Sequence, residues 1–452
     1  MSDTHHHSSK FLGGAAKKLI TLQLLFLGLF AYIFGSLFQQ DAHTHNLKIA
    51  FVDYDGGAIG AAVRQAYTAE LQGDSFPTLV ERPASDFPAP ADLESAVCSI
   101  DYWAALYILP GASSRLHGAL RDGADGSPPT TLFYNRHNAL AFIWNEARYP
   151  TVVGPAIASN IAALSAAARV VYINSTAIGT GRGVPSLTLN TPEAISVLAN
   201  PWELASRNIQ PTKQGSRAIY NTIAIILVII QDFFFLSIFN GLHLTFQVYN
   251  KLHPVRIVAF RNFYSLSYTL IGSLGVTGSI WAFRSGWDVN GIQFVLTWAT
   301  LWLFGHINFQ TFDVLTIWLP HPYVLMSLIT WIILNVTSTI LPFELSPAFY
   351  RVGYVFPAHE TLQVLIDIWS RGCNPQLSHA LPVLLAWELV VSVLSAVGVC
   401  RRIRGARTAE EEKETRFEER IAAAIALREK EGSEKMEEGT RSTVDSTGLS
   451  AV

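Results

Sequence analysis

"LITLQLLFLGLFAYIFGSLF", Leu19 to Phe38, contains no charged residue and is as long as a helix that crosses a bilayer, which takes about 20 residues. The run is too long for the apolar core of a signal peptide, and no cleavage site of small residues follows it. Of the 452 residues, 50% are hydrophobic and only 15% are charged, a composition too apolar for an ordinary soluble protein. The sequence therefore predicts an integral membrane protein whose first transmembrane helix is Leu19 to Phe38.

Five further apolar runs follow this helix after a long interval. They are Ala218–Leu242, Phe263–Phe283, Gly291–Phe312, Tyr323–Phe343 and Ala380–Cys400. Short loops that face the cytosol collect Lys and Arg. Such residues cluster before the first run, between the second and third, and directly after the sixth: Lys17, Lys18, Lys251, Arg256, Arg261, Arg401, Arg402, Arg404 and Arg407. Six transmembrane helices with both termini in the cytosol place all three clusters on the cytosolic side.

The predicted fold class is an α-helical polytopic membrane protein with six transmembrane helices and a large α/β extracytoplasmic domain between the first and second helices. The predicted order is a cytosolic N-terminal tail (1–18), the first transmembrane helix (19–38), the extracytoplasmic α/β domain (39–217), a five-helix membrane domain (218–400) and a cytosolic charged helix with a disordered tail (401–452). An outer re-entrant segment (344–379) is expected before the last transmembrane helix.

The predicted outer domain alternates short apolar runs with helical patterns, which is typical of an α/β unit with a small sheet. The predicted strands are Leu47–Asp53, Ala104–Leu109 and Thr130–Tyr134, and the predicted helices are Gly57–Gln72, Asp92–Asp101 and Ser113–Arg121. An Ala-rich helical stretch is expected from His137 to Ala168. The proline-rich segment from Ser75 to Asp92 predicts a loop.

"FVDYDGGAIG", residues 51–60, places Asp53 and Asp55 at the end of an apolar strand, where a phosphotransferase could hold Mg²⁺. On the predicted outer side of the membrane, however, no pool of ATP supports such an enzyme. We therefore interpret the two acids as a strand end and a cap for the helix that starts at Gly57. The sequence indicates no enzyme, no cofactor and no metal site, and a net charge of -3 without a global basic field argues against nucleic acid as a partner.

Polar side chains inside the predicted transmembrane helices are the candidate functional residues. Gln231 and Asp232 lie near the middle of the second run, Glu388 lies in the sixth, and His306 in the fourth is a candidate partner or proton acceptor. An ionised carboxylate at the centre of a bilayer costs at least about 2.5 kcal/mol, so these side chains are expected to face the interior of the helix bundle. Two interpretations stay open: a polar path for substrate or protons, and hydrogen bonds between helices that involve protonated acids.

Four residues are candidates for covalent modification. Asn174, in the triplet NST, is an N-glycosylation acceptor on the predicted outer side. Cys400, beside Arg401, is either a palmitoylation site or a buried thiol. Cys98 and Cys373 both fall on the predicted oxidising side, so they either form a disulfide or remain two free or buried thiols.

The order of three sequence blocks resembles that of known membrane permeases. "IAFVDYDGGAIGAAVRQAY", "ALYILPGASSRLHGAL" and "TLFYNRHNALAFIWNEARY" resemble successive blocks of type-2 ABC exporter permeases and of phage-infection-protein relatives. From Leu19 to Arg404 the chain is similar to the fungal nitrosoguanidine-resistance family, whose shared region is a domain of unknown function. "NPWELASRNIQPTKQGSRAIYNT" and "PAFYRVGYVFPAHETLQVLIDIW" carry much of that likeness.

This resemblance implies a multi-pass protein of the plasma membrane, or of another endomembrane, that is linked to tolerance of toxic compounds. We expect a permease-like protein that exports or excludes amphipathic toxicants or organises lipids. Its expected partners are membrane lipids, an amphipathic small-molecule substrate and further copies of itself in a homo-oligomer. One alternative is a scaffold or receptor that acts through its outer domain. Another is an ABC-type permease subunit with a separate ATPase, because this chain has no G-x-x-x-x-G-K-[ST] motif.

Overall fold

The computed structural model describes residues 2–121, 134–177, 192–212, 222–284 and 287–447. Its α-helices are α1 (Ser2–Ser36), α2 (Ala58–Ala66), α3 (Pro90–Cys98), α4 (Ala112–Arg121), α5 (Ser159–Ala177), α6 (Pro192–Ala199), α7 (Thr222–Thr245), α8 (Val248–Lys251), α9 (Pro254–Ala282), α10 (Gly291–Trp318), α11 (His321–Ile340), α12 (Pro357–Trp369) and α13 (Leu377–Thr447). Its strands are β1 (Lys48–Asp53), β2 (Thr78–Arg82), β3 (Ala104–Ile108), β4 (Leu140–Trp144) and β5 (Ala205–Asn208). The chain forms two compact units, one of Met1–Leu236 with Ser265–Ser392 and one of Ser237–Tyr264 with Val393–Val452.

The strands form one mixed sheet in the order β2-β1-β3-β4-β5. β1 runs parallel to β2 and β3, β3 runs antiparallel to β4, and β4 runs parallel to β5. Alternate residues of β1 enter two cores: Ile49 and Phe51 pack with residues of α2 and α5, whereas Ala50 and Val52 pack with residues of α3. Helices therefore cover both faces of the sheet, which explains why β1 is a continuous apolar run in the sequence.

The apolar strands were predictable, whereas the strands at the edges of the sheet were not. β1 and β3 have nearly the predicted bounds. β2 lies inside the segment predicted as a loop, and β5 was not predicted. Both are edge strands whose residues are half-buried or exposed, so they lack the alternation of apolar and polar residues that marks a strand in a sequence.

β4 contradicts the predicted helical stretch from His137 to Ala168. The predicted strand Thr130–Tyr134 falls mostly outside the described residues, and the strand that pairs with β3 is Leu140–Trp144 instead. Leu140 to Ile143 are buried, and β4 has a neighbouring strand on each side. A short apolar run alone does not distinguish a buried strand from part of a helix, and here the pairing with two neighbours determines the strand.

Asp53 and Asp55 are occupied by local structural contacts. Asp53 Oδ1 accepts hydrogen bonds from the backbone N–H groups of Asp55 (3.1 Å) and Gly56 (2.8 Å), and its Oδ2 forms an ion pair with Arg64 Nη2 at 2.9 Å. Asp55 Oδ2 accepts from the N–H of Ser113, at the start of α4, at 3.1 Å. Asp55 thus contacts the start of α4 rather than capping the helix that follows Gly57, so the predicted cap is corrected.

Ser113 satisfies a backbone donor at the start of α2, because its Oγ accepts a hydrogen bond from the N–H of Ile59 at 3.1 Å. Gly57 lies inside this crossed arrangement, and a Cβ atom at that position would overlap Ser113 Oγ and Asp55 Oδ2. We therefore expect Gly57→Ala to destabilise the α/β domain by about 1–3 kcal/mol, seen as a lower midpoint of thermal unfolding of the purified full-length protein. Gly73→Ala is the matched control, because nothing lies within 4 Å of its added methyl group. Equal midpoints for the two variants would contradict the prediction.

Within the described ranges, five helices are long and apolar enough to cross a membrane: Gly13–Ser36, Gly154–Ser175, Thr222–Thr245, Pro322–Ile340 and Leu377–Lys430. Four of them coincide with the first, second, fifth and sixth predicted transmembrane helices. The protein is therefore a helical, multi-pass membrane protein that carries a mixed α/β domain.

The remaining helix of the five, Gly154–Ser175, was not predicted as a membrane helix. Its apolar character has a local cause. It contains α5, whose Ile161 and Leu164 are buried in the core beneath the sheet. Ser165 of α5 accepts a hydrogen bond from the indole N–H of Trp202 at 3.2 Å. Burial against the sheet accounts for the composition of this helix.

α9 and α10, the third and fourth predicted transmembrane helices, are not among the five, although they have 29 and 28 residues. Each has a set of buried polar side chains that lowers its hydropathy. These are Ser265, Thr269, Ser273 and Thr277 on α9, and Gln293, Thr297, His306, Asn308, Gln310, Thr311 and Asp313 on α10. A helix with a polar interior face is harder to recognise from mean hydropathy than a uniformly apolar helix.

α12 is the main element of the predicted outer re-entrant segment. All 13 of its residues are buried, and at about 20 Å it is too short to span a bilayer. Asn335 Oδ1 of α11 accepts from the N–H of Ala358 in its first turn at 3.2 Å. Gln293 Nε2 of α10 donates to the carbonyl oxygen of Ile368 at 2.8 Å. Side chains of neighbouring helices thus satisfy backbone groups at both buried ends of α12.

The C-terminal part of the chain differs from the prediction. α13 has 71 residues and is continuous from Leu377 to Thr447, so the sixth predicted transmembrane helix and the predicted charged helix form one helix, which extends into the segment predicted as a tail. The sequence after residue 401 is rich in Glu, Ala, Lys and Arg, which favour helix and provide no stop signal. In the second compact unit, Tyr249, Ile257, Val399 and Ile403 form a small apolar core.

Candidate functional site

His306 of α10 and Glu388 of α13 form a direct contact between two helices. His306 Nδ1 lies 2.7 Å from Glu388 Oε1. The other ring nitrogen, Nε2, lies 3.2 Å from Ser265 Oγ of α9 and 3.3 Å from Gln310 Nε2. An amide NH₂ group can only donate, so Nε2 is the accepting nitrogen and Nδ1 carries the proton that is directed at Glu388. The structure thus brings together two of the four polar candidates.

Glu388 retains hydrogen-bonding capacity in this arrangement. Its Oε1 also accepts from Ser392 Oγ at 3.0 Å, whereas its Oε2 is buried without a hydrogen-bond partner among the described residues. The side chain of Glu388 is 23% exposed and that of His306 is 7% exposed. The pair can therefore be reached from one side, while the histidine lies in the interior.

Asp232 of α7 lies at the same level of the bundle. It is 2% exposed, and its Oδ2 has no hydrogen-bond partner in the part of the chain that the structure describes. A Cβ atom at Gly305 would lie 3.4 Å from Asp232 Oδ2 and 3.5 Å from Thr269 Cβ. Gly305 precedes His306 on α10, and Thr269 lies one turn after Ser265 on α9. Asp232 therefore lies beside the helix faces that hold the His306–Glu388 pair.

Gln231 points elsewhere and is explained by packing. Its side chain lies against Gly272 of α9, where an added Cβ would come within 2.9 Å of Gln231 Cδ. The hydroxyl of Tyr268 donates to the backbone carbonyl of Gln231 at 3.3 Å. We therefore separate Gln231 from the candidate site and define the polar layer as Asp232, Ser265, His306, Gln310 and Glu388.

The modification candidates have different surroundings. Asn174 is exposed near the end of α5, and its glycosylation stays a prediction. Cys400 is an exposed free thiol, so the alternative of a buried thiol is wrong, and its palmitoylation stays a prediction.

Cys98 and Cys373 form a disulfide, with Cα atoms 4.1 Å apart. Cys98 ends α3, and Cys373 follows α12, 275 residues later in the chain. The structure thus selects one of the two alternatives that the sequence left open. Asn145, which follows β4, also donates to the carbonyl oxygen of Cys373 at 3.3 Å.

A small polar cavity of about 60 Å³ lies where the α/β domain meets the residues around α12, and sequence reasoning missed it. The guanidinium of Arg148 stacks 3.6 Å from the centre of the Trp103 ring. Burial lowers the pKa of Arg148 to about 10, against the opposing effect of Glu344, so the side chain stays charged at neutral pH. Burial also raises the pKa of Tyr149, which accepts from Gln363 Nε2 at 3.2 Å.

Two neighbouring residues of α12 complete the cavity. Burial lowers the pKa of His359 to about 4, so its ring is neutral at neutral pH. Burial raises the pKa of Glu360, whose Oε1 has no hydrogen-bond partner in the described ranges and lies 3.8 Å from His379 Nε2. In the sequence, the adjacent His359 and Glu360 before an apolar run were a signal that could have indicated this cavity. No sequence pattern marked Arg148 as part of it. Among the described residues there is no group of three or more His, Cys, Asp or Glu side chains that could hold a metal ion.

Comparison with known proteins gives a family but no activity. No solved structure matches the chain. A family model with the description "Protein of unknown function (DUF3533)" matches residues 18–393. The predicted likeness to a domain of unknown function is thus confirmed, while nitrosoguanidine resistance and the relation to ABC permeases stay predictions. Because the match covers most of the sequence, the chain belongs to the DUF3533 family of proteins of unknown function.

Proposed function

We propose that this protein is a permease-like protein of the plasma membrane that contributes to tolerance of amphipathic toxic compounds by export, exclusion or lipid organisation. The observation that carries the proposal is the polar layer, in which the His306–Glu388 pair lies beside a buried Asp232 that has no partner for Oδ2 among the described residues. Ionisable groups inside a membrane bundle are costly to bury and commonly mark substrate or proton pathways.

The geometry of the pair suits proton transfer. Nδ1 of His306 can donate its proton to Glu388, and Nε2 can accept a proton from the side of Ser265 and Gln310. A histidine that accepts on one side and donates on the other can relay a proton between helices. A proton gradient is therefore the energy source that the polar layer favours, and the chain has no P-loop motif of its own.

The proposal includes six transmembrane helices with both termini in the cytosol. α9 and α10 serve as the third and fourth of these helices, because both are long enough to span a bilayer and their polar side chains face the interior. The disulfide supports this arrangement, because Cys98 and Cys373 must lie on the same side of the membrane. Disulfides form and persist in oxidising compartments, so we place both cysteines outside the cytosol.

Transport of labelled amphipathic toxicants into vesicles that contain only the purified protein tests the proposal. We expect uptake that depends on a proton gradient, and we expect His306→Gln to reduce it at least about tenfold, as the loss of a positioned proton-transfer group does. His243→Gln is the matched control, because His243 is also a buried histidine of a membrane helix, and its Nδ1 lies 2.9 Å from the backbone oxygen of Phe239.

Four other outcomes would argue against the proposal. Uptake that does not depend on the proton gradient would exclude the polar layer as a proton path. Uptake that is unchanged in His306→Gln would exclude it as well. Binding of a partner by the outer domain without any uptake would favour the receptor alternative. Uptake that requires ATP and an added ATPase would favour the ABC-type alternative.

A further inference from the structure

An apolar groove of about 610 Å³ lies between the first half of α10, the second half of α12 and the start of α13. Its size falls within the range of about 300–1,000 Å³ that is usual for sites of small-molecule ligands. Its walls include Ile292, Leu296, Leu377 and Leu381, and its floor includes Val364 and Ile368. The polar layer lies further along α10, so the groove is a separate feature.

The groove is open along its walls and closed at its floor. Ile292 is 71% exposed and Leu296 is 47% exposed, whereas Val364 on the floor is 4% exposed. In a bilayer such a concave surface gains dispersion contacts when a flexible chain fills it, because a void forfeits those contacts. A hydrocarbon chain fits the lining of this groove.

One end of the groove carries a cation and an anion side by side. Arg371, which lines the groove, forms an ion pair with Asp288 in which Nη2 and Oδ2 are 2.6 Å apart, and both side chains are largely exposed. Arg371 has a positive φ of 59°, and Gly372 follows with a φ of 92°, so a tight turn holds the guanidinium at this end. Asp367 also lines the groove, and burial raises the pKa of its carboxyl group.

A zwitterionic phospholipid matches this distribution of charge. A guanidinium binds phosphate oxygens with parallel hydrogen bonds, and the exposed carboxylate of Asp288 can contact an ammonium group. We propose that the groove between α10, α12 and α13 binds one acyl chain of a zwitterionic phospholipid whose head group is held by Arg371 and Asp288. This site is independent of transport and depends only on the membrane location of the protein.

Native mass spectrometry of the full-length protein, titrated with defined lipids in detergent, tests the site. We expect phosphatidylcholine to bind with a stoichiometry of one at low concentration, about tenfold more tightly than diacylglycerol, which has no head-group charge. Ala299→Trp fills the groove from α10 and should weaken phosphatidylcholine binding at least about tenfold. Ala386→Trp is the matched control, because Ala386 is an exposed alanine of α13 that does not line the groove.

Arg371→Gln separates the head group from the chain. It should remove the preference for phosphatidylcholine over diacylglycerol while leaving diacylglycerol binding unchanged. Circular dichroism shows whether each variant is folded, and Arg371→Gln supplies a surface substitution if Ala299→Trp fails to fold. Two results would overturn the proposal outright: equal effects of Ala299→Trp and Ala386→Trp, and stronger binding of phosphatidylserine than of phosphatidylcholine. A dimer that Ala299→Trp dissociates would also overturn it, and would identify a second copy of the chain as the occupant of the groove.

Discussion

Cys98→Ser or Cys373→Ser lowers the free energy of unfolding by about 3–5 kcal/mol, the largest effect on stability that we expect from a single substitution in this protein. The disulfide joins positions that are 275 residues apart, and a long closed loop restricts the unfolded chain more than a short one does. Chemical denaturation of the purified protein, with and without a reducing agent, measures the difference. Peptides linked through Cys98 and Cys373 in a non-reducing digest identify the bond by mass spectrometry.

Cys400→Ser is the control for this experiment, because Cys400 is an exposed free thiol. Its stability should match that of the wild type under both conditions. Wild-type stability that does not respond to reduction, together with free thiols at both positions, would contradict the prediction.

Loss of the disulfide should also loosen the link between the α/β domain and α12. The bond connects the end of α3 to the residues that follow α12, and Leu362 and Ile366 of α12 join the apolar core beneath the sheet. The α/β domain and the buried helix therefore share one core as well as one covalent link. Movement of the domain relative to α12 would disrupt the shared core, and the disulfide restricts such movement.

The sequence indicated the membrane character and the apolar strands because these depend on local runs of residues. The four central residues of β1, Ile49 to Val52, are apolar and buried on both faces, so its position was predictable. β2 and β5 are edge strands with few buried residues, and their existence depends on pairing with distant partners. The position of β4 depends on pairing in the same way. Local composition contains no information about such partners.

The candidate site shows the same division. An acid or a histidine in an apolar run is visible in the sequence, and this signal identified Asp232, His306 and Glu388. The pairing of His306 with Glu388 is a contact across 82 residues, and no local pattern predicts it. A polar amide in the same kind of apolar run selected Gln231, which the structure instead explains by its packing against Gly272. The cavity around Arg148 is assembled from segments far apart in the chain, so the sequence alone did not indicate it.

Asp232→Asn should abolish tolerance of the toxicant in cells that depend on this protein, while leaving its amount at the cell surface unchanged. Asn has nearly the same shape as a protonated aspartic acid and preserves packing beside Gly305, but it cannot bind or release a proton. If Asp232 were only a protonated hydrogen-bonding group, Asn would replace it at little cost. Growth in graded concentrations of the toxicant measures the loss, and surface labelling measures expression.

Asp53→Asn is the matched control, because Asp53 is also a buried acid with a side chain that is 4% exposed, but it is already paired with Arg64. Its substitution weakens an ion pair and a turn within the α/β domain and leaves the polar layer intact, so tolerance should stay near the wild-type level. The reverse result, in which Asp53→Asn loses tolerance and Asp232→Asn retains it, would assign the activity to the α/β domain. It would favour the receptor alternative, since a carboxylate that matters only within the α/β domain has no part in a path through the membrane.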